Sequence, residues 1–313
     1  MTPKQIVETF KQAFDVVGII ETARYIREAK KRNFPLPKHN YPTMVVLALA
    51  YPKRQLSHSP SHLIPSFYTF GGDYHTIMKE KIKTICEALP YPYDYGVDNH
   101  PLNERLMASL AGIGFFGKNQ LIINKDYGSY IFLAYVILDT HLKQPINPPV
   151  LDDCGDCRKC IEACPTNALT DEGYIIEKCI SYYNQEKIVL SKDQIKNNYQ
   201  LFGCDICQVV CPKNIQKGKK VHDAFKLSGK EAVSIQDLFT MNQKSFKAKY
   251  NDMAYLWKGK TLLMRNASTL MLNHRNTDYL DLIEASLKDY QMPWYQETTQ
   301  YIVNALKRIK EID

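Results

Sequence analysis

Cys154–Pro165, CGDCRKCIEACP, and Cys204–Pro212, CDICQVVCP, are the stretches whose reading decides the architecture. The first spaces its cysteines C-x2-C-x2-C-x3-C-P, at Cys154, Cys157, Cys160 and Cys164. In bacterial chains this spacing holds [4Fe–4S] clusters, and the fourth cysteine ligates the other cluster of a pair. The geometry accounts for it: three thiolates on one tight loop reach three corners of a cube, and the fourth is carried off on the turn begun by Pro165. The second run, Cys204-x2-Cys207-x3-Cys211-Pro212, lacks a first cysteine at the usual offset, and Cys179 farther upstream is the substitute. The expected ligand sets are therefore Cys154, Cys157, Cys160 and Cys211 for one cluster, and Cys164, Cys179, Cys204 and Cys207 for the other.

Disulfides do not suit a chain whose N-terminus, MTPKQIVETFKQAF, lacks the apolar core of a signal peptide. Zinc takes isolated CxxC pairs or Cys/His mixtures rather than two interlocking runs that each end in Cys-Pro. The remaining cysteine, Cys86, sits among Ile82, Ile85 and Leu89 on a helical stretch and reads as a buried apolar side chain. Paired clusters conduct single electrons but are not by themselves a site for substrate chemistry. Something else in the chain must receive the electrons.

The rest of the chain supplies candidates. Its 313 residues, 45% hydrophobic and 23% charged, have an ordinary globular composition. Residues 1–145 alternate helical patterns (Gln5–Val17, Tyr74–Leu89) with strand patterns (Thr43–Tyr51, Tyr127–Thr140), which predicts an α/β domain around a buried sheet. Gln144–Val150 reads as a proline-rich linker into a ferredoxin-like two-cluster domain over 150–216. Residues 229–313 are helical in pattern, at Gly259–Asn273, Tyr279–Tyr290 and Tyr295–Ile312, and suggest a helical-repeat (HEAT-like) segment. The longest apolar runs, Met44–Tyr51 and Tyr130–Leu138, are too short to cross a bilayer as helices, so no membrane and a cytoplasmic location are expected. The net charge of +7, with clusters at Lys30–Arg32, Lys79–Lys83 and Lys213–Lys220, suits phosphate contacts with a nucleic acid or serves solubility.

The most unusual stretch outside the cysteines is Val97–Ser129, VDNHPLNERLMASLAGIGFFGKNQLIINKDYGS. Its Gly112–Asn119 loop, GIGFFGKN, is either a cradle for a ligand or a turn between core elements. It is not a dinucleotide fingerprint, because the segment before it reads as helix.

Taken with the cysteine runs, these residues resemble the epoxyqueuosine reductase family, cobalamin- and iron–sulfur-dependent enzymes of tRNA modification. The resemblance is carried by Ala48–Pro52 (ALAYP), Gly72–His75 (GDYH), Val97–Arg105 (VDNHPLNER), Ala111–Asn119 (AGIGFFGKN), Lys178–Tyr182 (KCISY), Leu201–Gln208 (LFGCDICQ) and Trp257–Ala267 (WKGKTLLMRNA). It implies a nitroreductase-like α/β domain, base-off cob(II)alamin between that domain and the ferredoxin-like one, and Asp98 as proton donor. Matches to the family's cobalamin contacts are Arg32, Asp98 and Ser181, with Lys118 of the GKN loop added. Matches to its tRNA-contacting stretch are Gln185, Glu186 and Lys187. The implied partners are a tRNA with a queuosine-type anticodon and an external low-potential electron donor, and the implied assembly is a monomer.

An acid that protonates a departing oxygen near neutral pH needs a raised pKa, so a desolvated Asp98 is expected. The bland alternative for Asp98 is a turn acid or helix N-cap before Pro101. His75 and His100 flank the same motifs as cobalt or substrate contacts, or as structural histidines. Two rival functions remain at this point. One is a related corrinoid iron–sulfur reductase acting on a small molecule. The other is a plain ferredoxin-type electron carrier, for which the Asp98 and GKN segments would have no purpose.

Overall fold

The computed structural model describes residues 1–142, 150 and 152–312, so the linker expected at Gln144–Val150 lies, apart from Val150, outside the described residues. The chain packs as two units, each discontinuous in sequence. One comprises Met1–Lys53, Tyr74–Cys160 and Gln208–Phe225; the other comprises Arg54–Asp73, Ile161–Cys207 and Lys226–Asp313. This division differs from the one expected, 1–145, 150–216 and 229–313. Residues 152–160 and 208–216 of the cysteine segment fall in the first unit, and residues 161–207 in the second.

The first unit is built on a four-stranded antiparallel sheet. Its strands are β1 (Val16–Glu21), β2 (Thr43–Ala50), β3 (Tyr93–Val97) and β4 (Ile131–Leu138), in the order β1-β2-β4-β3. β2 (TMVVLALA) is buried along its whole length, which suits a central strand covered on both faces. It pairs with β1 from Val16↔Ala48 and with β4 from Thr43↔Leu138. On one face Met44, Val46, Ala48 and Ala50 join a core with Tyr25 and Ala29 of α2 (Thr22–Lys31) and with residues 106–108. Val45, Leu47 and Leu49 alternate to the other face and are equally buried. Helices α1 (Pro3–Lys11) and α3 (Tyr74–Glu87) also pack against the strands.

The helix expected over Gln5–Val17 is shorter. It starts on a capping box between Thr2 and Gln5 and ends at Lys11. Val16–Glu21 is strand, because a β-branched run containing Gly18 favours the sheet over a helix. Cys86 is 1% exposed on α3, and burial pushes its thiol up to about 12, as fits a core side chain.

The second unit has a short strand pair, His62–Leu63 with Val233–Ser234, and a helical core. After the short helix α4 (Glu104–Leu110) of the first unit, the long helices are α5 (Lys260–Asn273), α6 (Leu280–Asp289) and α7 (Pro293–Ile312), close to the three expected. α5 is buried on nearly all sides and carries Arg265, Asn266, Ser268 and Thr269 inside the core. Among the described residues, no helix is long and apolar enough to cross a membrane.

Candidate redox and catalytic site

The two expected thiol sets fall one to each unit. Cys154, Cys157, Cys160 and Cys211 belong to the first; Cys164, Cys179, Cys204 and Cys207 belong to the second.

In the first unit the four thiols line one hollow with Lys118, Asn119, Ile123, Pro212 and Lys213. The loop turns tightly enough for this because Cys157 N–H donates to Cys154 O at 3.0 Å and Gly155 takes a positive φ of 49°. Burial raises the Cys160 thiol, and Cys154, Cys211 and Cys157 stand near enough to raise it further. Among the described residues, no three His, Cys, Asp or Glu side chains converge closely enough to hold a single ion. Four thiols gathered around one hollow suit a multi-atom cluster.

Cys211 reaches this hollow because its segment is bolted to the sheet unit. Gln208 Nε2 donates to Tyr51 Oη at 2.7 Å and to Ser129 O at 2.8 Å. Asn214 accepts from Ser129 N–H at 2.8 Å and donates to Ser129 Oγ and Gln208 O. Gly128, at φ +62°, makes room: a Cβ there would lie 2.2 Å from Asn214 Oδ1.

In the second unit Cys204 packs against the main core, and burial first of all pushes its thiol up to about 12. Cys179 is close enough to raise Cys204, while Cys164, Cys179 and Cys204 all raise the Tyr183 phenol that burial has already shifted upward. Burial also acts to raise Cys164, but N–H groups of Leu169, Thr166 and Ala168 and the Thr166 hydroxyl outweigh it and leave the thiol lowered. A ring of donors of this kind suits a metal-bound thiolate.

The scaffold for this set is α5, a role that sequence reading missed. Arg265, 0% exposed, donates to the carbonyls of Glu186 (2.7 Å), Ile188 (2.9 Å) and Tyr183 (3.2 Å). Asn266 Nδ2 donates to Asn184 O at 2.7 Å and Leu201 O at 3.0 Å. Asn184 in turn donates to Gly203 O and accepts from Gly203 N–H. The helix thereby ties the backbone after Cys179 to the backbone before Cys204. The signal was an Arg-Asn pair inside the otherwise apolar run Leu262–Ala267.

Asp98 follows β3 at φ +52°, a left-handed conformation. It is not the cap of α4; that is Asn103, which accepts Leu106 N–H at 2.9 Å. Asp98 Oδ2 accepts from Tyr74 Oη at 3.0 Å and lies 2.9 Å from His75 Nε2. Its backbone N–H donates to Glu104 Oε1 at 2.9 Å, and the same oxygen takes His100 Nε2 at 2.8 Å. Both histidines are thus hydrogen-bonded to carboxylates. Gly96 allows this, since a Cβ would stand 2.5 Å from the His100 ring. The raised pKa expected of Asp98 is not what this geometry gives. Burial does push it up, but the bonds from His75 and Tyr74 outweigh burial and hold the carboxyl below its ordinary value. Its side chain is 49% exposed.

The other expected contacts are placed as follows. Arg32, exposed at the end of α2, is paired with Glu28 Oε2 at 2.8 Å. Lys118 serves the cysteine loop: its N–H lies 3.4 Å from Cys154 Sγ and its ammonium donates to Gly155 O at 2.7 Å. Ser181 Oγ and Ser181 O both accept from Gln185 Nε2, which joins an expected cobalamin contact to an expected tRNA contact within one turn. Glu186 Oε1 pairs with Lys258 at 3.3 Å, and Lys187 is exposed. Ser181 and the 185–187 stretch lie in the second unit; Arg32, Asp98 and Lys118 lie in the first.

Comparison with known proteins accords with this geometry. Residues 153–214 match the family model of a 4Fe-4S double cluster binding domain. The chain is 31% identical to epoxyqueuosine reductase of Bacillus subtilis over 306 residues, covering 90% of this chain and 78% of the relative. It is 32% identical to that of Bacillus anthracis, covering 88% and 76%. A solved structure of epoxyqueuosine reductase from Bacillus subtilis superposes with a TM-score of 0.82 at 24% identity, covering 99% of this chain and 94% of that one. One solved with an epoxyqueuosine-modified tRNA stem loop gives 0.79 at 23%, covering 97% and 98%. The mixed α/β fold with its 4Fe-4S binding segment is therefore shared, and the chain belongs to the epoxyqueuosine reductase family.

Proposed function

We propose that this protein reduces epoxyqueuosine to queuosine at the wobble position of tRNA anticodon loops, with two [4Fe–4S] clusters and cobalamin as its redox groups. The observation that carries the reading is the segregation of the eight thiols into two sets of four, in a chain of this family that also places Asp98 between Tyr74 and His75. A plain electron carrier has no use for that trio.

Opening the epoxide to an alkene consumes two electrons and two protons and releases the oxygen as water. Bound cobalamin supplies a strongly reduced metal centre for this chemistry. Clusters held by the two cysteine sets would pass electrons singly from an external low-potential donor, at potentials the protein can set within roughly −700 to +450 mV. The residues of the chain manage the protons. Asp98, half-exposed, is the group that meets the departing oxygen. His75 and Tyr74 stand behind it as hydrogen-bond donors that fix the orientation of the carboxyl. Substrate that covers the carboxyl deprives its charged form of water and moves its pKa upward, towards the value an acid needs.

On this reading Arg32 and Ser181 hold cobalamin. Lys118, placed with them by the GKN loop, also donates to Gly155 O of the cysteine loop. Gln185, Glu186 and Lys187 meet the tRNA, whose anticodon bases are unpaired and can be splayed out.

Anaerobic reconstitution followed by iron, sulfide and cobalt analysis, then reaction with an epoxyqueuosine-containing stem loop and a strong reductant, tests this. Queuosine formation that requires added cobalamin is expected. Full cluster loading with no cobalamin binding and no turnover would overturn it.

A further inference from the structure

We propose that Tyr199 sets the reduction potential of the cluster carried by Cys164, Cys179, Cys204 and Cys207, through a hydrogen bond from its phenol to the Cys204 sulfur. The inference rests on the two-cluster reading above.

Tyr199 Oη lies 3.3 Å from Cys204 Sγ, and the same oxygen accepts the backbone N–H of Asp205 at 2.7 Å. A phenol carries a single hydrogen. Because Asp205 is the donor on one side, the Tyr199 hydrogen is left for the sulfur on the other. The direction of the bond follows from counting donors.

Both ends of the residue are fixed. The Tyr199 carbonyl lies 2.9 Å from His58 Nε2, and His58 Nδ1 accepts Ile64 N–H at 2.9 Å, which places the imidazole proton on Nε2 and makes it the donor to Tyr199. The Asp205 carboxylate is held by the Ser66 hydroxyl, by Phe67 N–H at 3.3 Å and by Gln200 at 3.0 Å, so its backbone N–H keeps its aim. In the other set, Cys154 Sγ accepts from a backbone amide, Lys118 N–H at 3.4 Å, which no side-chain substitution removes. The Tyr199 bond is therefore a means of tuning one cluster separately from its neighbour.

A cluster that gains an electron places part of the added charge on its ligand sulfurs. A donor to one sulfur stabilises the reduced form more than the oxidised form and raises the potential, the more so in a site packed against the core.

The test is an EPR-monitored potentiometric titration of the full chain, reconstituted without oxygen, as wild type and as Tyr199→Phe, with iron and sulfide counted in each. In the variant one couple is expected to move to a more negative potential while the other stays in place. The shift corresponds to about a tenfold change in the reduced-to-oxidised ratio, about 59 mV for a one-electron couple. Fully loaded variant protein with both couples unmoved overturns the proposal. Since loss of the hydroxyl could impair loading, 3-fluorotyrosine at position 199 is the companion probe. It keeps the ring and is a stronger donor, so the same couple is expected to move the opposite way, and an unmoved couple again overturns the proposal. Wild-type protein that takes up iron for one cluster alone overturns the two-cluster reading itself, and the proposal with it, an outcome distinct from a loaded cluster whose potential ignores Tyr199.

Discussion

His75 Nε2 lies 2.9 Å from Asp98 Oδ2, and this pair, with the Tyr74 hydroxyl on the same oxygen, holds the carboxyl below its ordinary pKa against the opposing effect of burial. A lowered folded-state pKa stabilises the fold above the unfolded carboxyl's pKa, and that contribution is lost as pH falls through the lower folded value. His75→Phe removes the principal counterweight to burial. The carboxyl signal of Asp98, followed by NMR on carbon-labelled protein, is expected to titrate at higher pH in the variant. An unchanged titration would show that the pair is not coupled.

Asp98→Asn keeps the size of the side chain and removes its acid. Turnover on epoxyqueuosine-containing tRNA should fall by at least about 100-fold. Iron content should be unchanged, because Asp98 belongs to neither thiol set. Retained turnover would remove Asp98 from the chemistry.

Cys179 is the ligand whose spacing is least regular. Cys179→Ala is expected to reduce bound iron from about eight to about four per chain. Cys86→Ala, on the buried face of α3, should leave the iron count unaltered and lower stability by about 1 kcal/mol through lost apolar burial. Metal analysis and thermal unfolding distinguish the two.

Arg265→Met leaves the carbonyls of Tyr183, Glu186 and Ile188 without their buried donor. We expect a loss of about 3 kcal/mol, the scale set by orphaned buried acceptors. Hydrogen exchange should rise first in residues 180–190. A variant as stable as wild type would show that α5 does not organise that segment.

Affinity for tRNA is expected to fall at least about tenfold between about 50 and 200 mM salt. The basic run at 213–220 is a weaker source of this effect than its sequence suggests. Lys213 is paired with Asp152 at 2.7 Å, Lys220 lies 3.8 Å from Asp15, and Lys217 donates to the Lys125 carbonyl. Lys187→Glu should weaken binding and flatten the salt dependence by about one phosphate contact. Binding measured as a salt series decides both points.

The buried strands at 43–50 and 131–138 and the three C-terminal helices were legible in the sequence, because each follows from a period of apolar residues. The end of α1 was misread because Val16 and Val17 are compatible with either period until a partner strand is in place. β3 was missed for a related reason: YDYGV has little apolar content, and its strand state comes from pairing with β4.

By itself the sequence determined what could bind iron and sulfide, since thiolates need only the right count and offsets along the chain. It could not determine what surrounds them. That Arg265 and Asn266 serve the backbone beside Cys179 and Cys204, that Lys118 bonds Gly155, and that Asp98 is held by His75 and Tyr74 are facts of tertiary structure. Each depends on groups tens of residues apart or on opposing contributions from burial and hydrogen bonding, and the sign of their sum is fixed only when the chain has folded.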